Sequence, residues 1–149
     1  MRVLQIPILL AALTMPAVAQ DTARNFPFGK PFKVISISGF DVQNAGITLT
    51  ITPEPQSNRW LAGGNAGCNT WTAGIAIRED QIDIMNVATT RKMCPKPRMT
   101  TEEAFLTTLK SAQRWRIDDK NRLIIEGEAA RLLLTAGGAD KQPGKKPAK

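Results

Sequence analysis

Alternation of apolar and polar residues with a period of two constrains this chain most, because it commits most of the length to strands with one buried face and one wet one. Ile35 and Ile37 alternate with Ser36 and Ser38, and Ile47, Leu49 and Ile51 alternate with Thr48, Thr50 and Thr52. Trp71, Ala73, Ile75 and Ile77 share one face across Thr72, Gly74 and Ala76; the Glu79-Asp80 turn signal and then Ile82 and Ile84 complete a hairpin. Trp115 to Ile117, Leu123 to Glu126 and Arg131 to Thr135 read as further short strands, parted by turns at Asp118 to Asn121 and at Gly127.

One segment breaks the alternation. Thr100 with Glu103 three residues on has the form of a capping box, and Phe105, Leu109 and Ala112 recur at helical spacing with Leu106 beside them. The pattern predicts a helix over 101–113 whose apolar stripe covers one face of the sheet. The fold class is therefore α+β: a mainly antiparallel sheet of seven or eight short strands with one helix inserted late.

The first 19 residues follow a different logic. Arg2 is a short basic start, Val3 to about Leu13 is apolar, and Ala17-Val18-Ala19 is a small-x-small cleavage site, so residues 1–19 predict a secretory signal peptide. Gln5, Pro7 and Pro16 break a run already too short to span a bilayer, and nothing later in the chain approaches transmembrane length. Export predicts a periplasmic or secreted protein. What remains, about 130 residues, suits one domain. We expect a flexible leader at 20–30, the domain at 31–136 and a disordered basic tail at 137–149, where Lys141, Lys145, Lys146 and Lys149 face a single Asp140 among Gly and Pro. The formal charge of +7 is thus partly local to the tail, and with export it gives no support to nucleic-acid binding.

Export also sets the redox context of the two cysteines, Cys68 and Cys94. The economical inference is one structural disulfide, since no Cys-x-x-Cys spacing marks a redox centre. The chain has no histidine and no tyrosine, which excludes Ser-His-Asp and Cys-His nucleophilic sites and histidine-ligated zinc. No phosphate-cradling glycine motif is present, and we expect neither metal nor cofactor. Gly63, Gly64 and Gly67 read as turn or bulge glycines beside the first cysteine. Carboxylates at Glu79 and Asp80, Asp83, Glu102 and Glu103, and Asp118 and Asp119 are raw material for an alternative reading, a small hydrolase acting on an envelope glycan with Trp60 and Trp71 as stacking platforms. Each of these acids also has an ordinary place in a turn, a helix start or a wet face, and strand tryptophans are more often core.

Gly67-Cys68-Asn69, the following hairpin, the run Ala88-Thr89-Thr90-Arg91-Lys92-Met93-Cys94-Pro95, and a helix carrying Glu103, Ala104 and Phe105 together resemble the META/HslJ family of small secreted or envelope proteins. The resemblance covers about Phe32 to Leu134. The chain departs from the family pattern at Lys92-Met93, and it has Phe32 where an aromatic, often tryptophan, opens the first strand. The resemblance implies a partly barrel-like sheet and a non-enzymatic role, associated in some bacterial members with heat shock or tolerance of antibiotics.

Within that frame Asn69 is expected to hold a loop through its side-chain amide. Arg91, Lys92, Lys96 and Arg98 gather four positive charges around Cys94, in a segment that Pro95 and Pro97 are expected to keep extended. They form the candidate binding surface of a stress-protective or binding module. Its partner would be an anionic component of the envelope or another envelope protein.

Overall fold

The computed structural model describes residues 26–54, 59–128 and 130–137. The signal peptide, residues 20–25 of the leader and all of the tail but Gly137 lie outside the described residues. Among the described residues there are nine strands: β1 (Phe32–Ile37), β2 (Phe40–Asp41), β3 (Thr48–Pro53), β4 (Trp60–Asn65), β5 (Thr70–Arg78), β6 (Gln81–Thr89), β7 (Arg114–Ile117), β8 (Leu123–Glu126) and β9 (Arg131–Ala136). One helix, α1 (Lys96–Lys110), lies between β6 and β7.

Every pairing is antiparallel, and the ring β1-β3-β4-β5-β6-β7-β8-β9 closes because β1 also pairs with β9. The molecule is thus an eight-stranded barrel with β2 as an extra two-residue strand on β1. Closure leaves few edges to template unwanted pairing. The predicted mainly antiparallel, barrel-like α+β fold is what the chain forms.

The alternating positions line the interior. Ile47, Leu49, Ile51, Ala62, Trp71, Ala73, Ile75, Ile82, Trp115, Leu123, Ile125, Leu132 and Leu134 are all buried in one core. In β1 the expected inward pair is different: Phe32, Val34 and Ile37 are buried and Ile35 is only half-buried. The register against β9 shifts between Val34 and Ser36, so Ile35 is the extra residue of a bulge, and the bulge moves the inward face from even to odd positions.

Strand β4, absent from the alternation, forms on Gly63 and Gly64. A Cβ at Gly64 would lie 2.2 Å from the carbonyl oxygen of Thr48, so this residue marks a close backbone approach within the barrel wall, not a turn.

The barrel has one weak seam. β6 and β7 share a single register pair, Gln81 with Arg114, bordered by bonds from Ile82 N–H to Gln113 O and from Trp115 N–H to Asp80 O. Helix α1 is the connection between these strands and packs against β6, β9 and β1. Its Phe105 and Leu109 are fully buried, with the Phe105 ring edge-on to Trp71 at 5.5 Å.

The helix starts five residues earlier than the capping box predicts. Pro95 is its N-cap and Pro97 sits in the first turn, where a missing N–H costs nothing, so only Pro95 remains extended. The Thr100 hydroxyl bonds back to Lys96 O and makes no cap.

The family-independent expectation of a loose leader over 20–30 does not hold at its end. Phe26 is 4 % exposed and meets Trp115 edge-on at 4.7 Å, Phe28 stacks on Trp60 at 3.7 Å, and Gly29 N–H donates to Ile51 O. Two aromatics in five residues bury enough surface to order that stretch.

Candidate functional site

At one end of the barrel three segments converge: the β4–β5 turn, the crossing from β6 to the helix, and the first two turns of α1. The turn forms because Asn65 Oδ1 accepts the Gly67 N–H at 2.6 Å, Ala66 N–H donates to Asn69 O at 2.7 Å, and Gly67 takes φ +110, open to glycine at no steric cost. This presents Cys68 at the tip. Cys68 and Cys94 are disulfide-bonded, with Cα atoms 6.0 Å apart, as the two-cysteine count predicts.

Asn69, 2 % exposed, holds the crossing segment independently of that bond. Its Oδ1 accepts from Lys92 N–H at 2.7 Å and from the Thr90 hydroxyl at 2.9 Å. Its Nδ2 donates to Glu102 Oε1 at 2.8 Å and, more weakly, to Lys92 O at 3.4 Å. Thr70 and Thr90 extend the pairing, each N–H donating to the other residue, one to a hydroxyl and one to a carbonyl.

Glu102, which the sequence offers only as one of several candidate acids, has a structural role that sequence reasoning missed. It is 6 % exposed, and its Oε2 accepts the backbone N–H groups of Asn69 at 2.6 Å and Cys68 at 3.2 Å. Among the described residues no lysine or arginine forms an ion pair with it; three N–H donors solvate the carboxylate instead. A buried carboxylate persists only where such donors replace water. A signal was available: Glu102, Phe105 and Leu109 stand at i, i+3 and i+7, so an acid occupies the helix's apolar stripe.

The four predicted cations divide. Arg98 Nη2 donates to Gly67 O at 2.6 Å and so ties the helix to the turn. Arg91, Lys92 and Lys96 are exposed, and their side chains make no ion pair or hydrogen bond among the described residues. Met93, between them, is 91 % exposed.

The other acids are dispersed. Glu79 and Asp80 form the β5–β6 turn, Asp83 is on the outer side of β6, Glu103 is exposed on the helix, and Asp118 is held by Arg122 in the β7–β8 turn with Asp119 exposed beside it. Glu126 and Glu128 share a depression with Arg131 beside the β8–β9 turn, where Glu126 is already paired with Arg116 at 3.5 Å. Trp71 is 1 % exposed with its indole N–H on Thr48 O and offers no ring face to a sugar, while Trp60 is half-buried with Phe28 stacked on one of its faces. Among the described residues no three acids or cysteines are grouped as metal ligands, and no helix is long and apolar enough to cross a membrane.

The model of the META domain matches residues 26–139, beginning at the buried Phe26. A protein from Burkholderia xenovorans solved by NMR is similar in structure, with a TM-score of 0.61 and 19 % sequence identity over 89 % of this chain and 99 % of that one. At that identity the likeness concerns the fold. No curated protein matches the sequence.

Proposed function

The chain belongs to the META domain family, and from that premise we propose that it acts as an exported, non-enzymatic binding module that presents Arg91, Lys92 and Lys96 to an anionic partner in the cell envelope, in a stress-protective role. One observation carries the reading: three unpaired cations stand on a segment fixed twice, by the Cys68–Cys94 bond and by the Asn69–Glu102 network. Holding a charged loop in one conformation before encounter reduces the entropy lost on binding. Clustered positive charge speeds encounter with a polyanion and makes the complex salt-sensitive. The expected signal peptide supports the reading, because export would bring this chemistry to anionic headgroups and cell-wall polymers.

The test is retention of the mature protein by soluble polyphosphate at low and at physiological salt. We expect retention that falls with salt and is lost when Arg91, Lys92 and Lys96 all become serine. Retention indifferent to salt, or unchanged in the triple variant, overturns the proposal.

A further inference from the structure

We infer that the anionic partner is a lipid bilayer and that Met93 is the group that enters it, an inference resting on the binding role just proposed. Met93 is the most exposed of the large apolar side chains among the described residues. Its exposure is built in. Lys92 on one side is fixed by Asn69 through its N–H, and Cys94 on the other is fixed to Cys68, so the backbone between them cannot turn the side chain back onto the barrel. Beyond Cys94, Pro95 caps the helix and removes the remaining freedom of the segment.

A soluble polyanion has no use for such a tip, because an unbranched thioether adds nothing to phosphate or carboxylate recognition. A protein partner would have to supply a shaped pocket, and the loop offers it one long apolar chain with Pro95 beside it. A fluid acyl layer requires no complementary shape. An apolar tip flanked by cations suits the bilayer interface: the side chain passes the headgroups while Arg91, Lys92 and Lys96 keep their stems along it and their charges among the phosphates. Each such cation near an anionic surface strengthens binding about fivefold.

Vesicles of phosphatidylcholine, with and without phosphatidylglycerol, would be sedimented with the full mature protein, alongside the polyphosphate assay. The wild type should bind the anionic vesicles. Met93→Ser should weaken that binding about tenfold or more while leaving polyphosphate retention unchanged, and Met93→Leu should restore it. In Met93→Trp, emission from the new indole should be quenched by lipids brominated along the acyl chain. Polyphosphate retention without vesicle binding would overturn the bilayer inference and leave the binding role standing. Vesicle binding untouched by Met93→Ser, or equal losses on vesicles and polymer, would also overturn it. Binding to neither probe removes both.

Discussion

Replacing Glu102 by glutamine changes one oxygen for an NH2 group with almost no change in volume, and the structure sets the cost. The carboxylate accepts three N–H donors, from Cys68, Asn69 and the Asn69 amide. A bond to a charged acceptor contributes ~1.5–3 kcal/mol against about 1 for a neutral one. Glutamine keeps one acceptor oxygen. If that oxygen faces the two backbone groups, the new NH2 meets Asn69 Nδ2, donor against donor; if it faces Nδ2, two buried backbone N–H groups lose their partner. Escaping the burial cost of a charge offsets part of this, so the net loss should be about 2 kcal/mol. For a domain of this size that lowers Tm by roughly 7–10 °C. Glu103→Gln, one residue along and exposed, is the control and should stay within about 0.5 kcal/mol of wild type. Urea unfolding followed by tryptophan fluorescence gives both values. Amide exchange adds a local readout, since the Lys92 N–H should lose protection in Glu102→Gln before the barrel strands do. Equal stability of Glu102→Gln and wild type, or equal losses at 102 and 103, would refute the account of the buried carboxylate as the anchor of the loop.

Removing the disulfide by Cys68→Ala with Cys94→Ala should cost roughly 3.5 kcal/mol on the chain-entropy account for a separation of 26 residues. Combined with Glu102→Gln it should cost measurably more or less than the sum, because both act on one loop; strict additivity in urea titrations would count against a shared site. Gly64→Ala should fold poorly or lose several kcal/mol on the order of overpacking costs, since its Cβ would run into Thr48 O, and thermal melts of whatever is soluble would show it. The side-chain hydrogen bond from Arg122, followed by backbone N–H groups, holds the Asp118 carboxyl below its ordinary value. A lowered folded value means stability that is present above the unfolded pKa and is lost as pH falls through the folded one. Asp118→Asn should therefore flatten the acid arm of a stability-against-pH curve below about pH 4, while leaving its neutral end lower than wild type.

Most of the barrel was legible because a buried face imposes its period on the chain, and strands such as Ile47 to Ile51 have that period uninterrupted. Where the backbone departs from regular pairing the period misleads. The bulge at Ile35 exchanges the faces of β1, and the glycines of β4 supply no side chains to alternate, although the close approach to Thr48 is what requires them. The helix start was misplaced because a capping box and a Pro-x-Pro entry compete in the same dozen residues, and proline at the first turn prevailed. At the candidate site the cysteines, Asn69 and the four cations were all named in advance, and the structure brings them together around the Cys94 loop. Their division of labour was not visible. That Arg98 serves the turn while Arg91, Lys92 and Lys96 stay free depends on where the Gly67 carbonyl points, and that direction is a tertiary fact.

The closure of the barrel by its first and last strands bears on how the chain acquires its structure. β1 has β9 along one edge, and Gly137 N–H donates to Pro31 O, so the two ends of the domain are stitched side by side. A chain emerging N-terminus first exposes β1 long before its partner exists. Pairings between distant segments are reached late because loop closure must precede them. The β3–β4–β5–β6 meander, by contrast, joins neighbours in sequence and brings Cys68 near the strand that leads to Cys94. Oxidation of the cysteines can therefore run ahead of closure, and a chain truncated before Arg131 should carry its covalent staple while its β1 edge stays open to pairing with other chains.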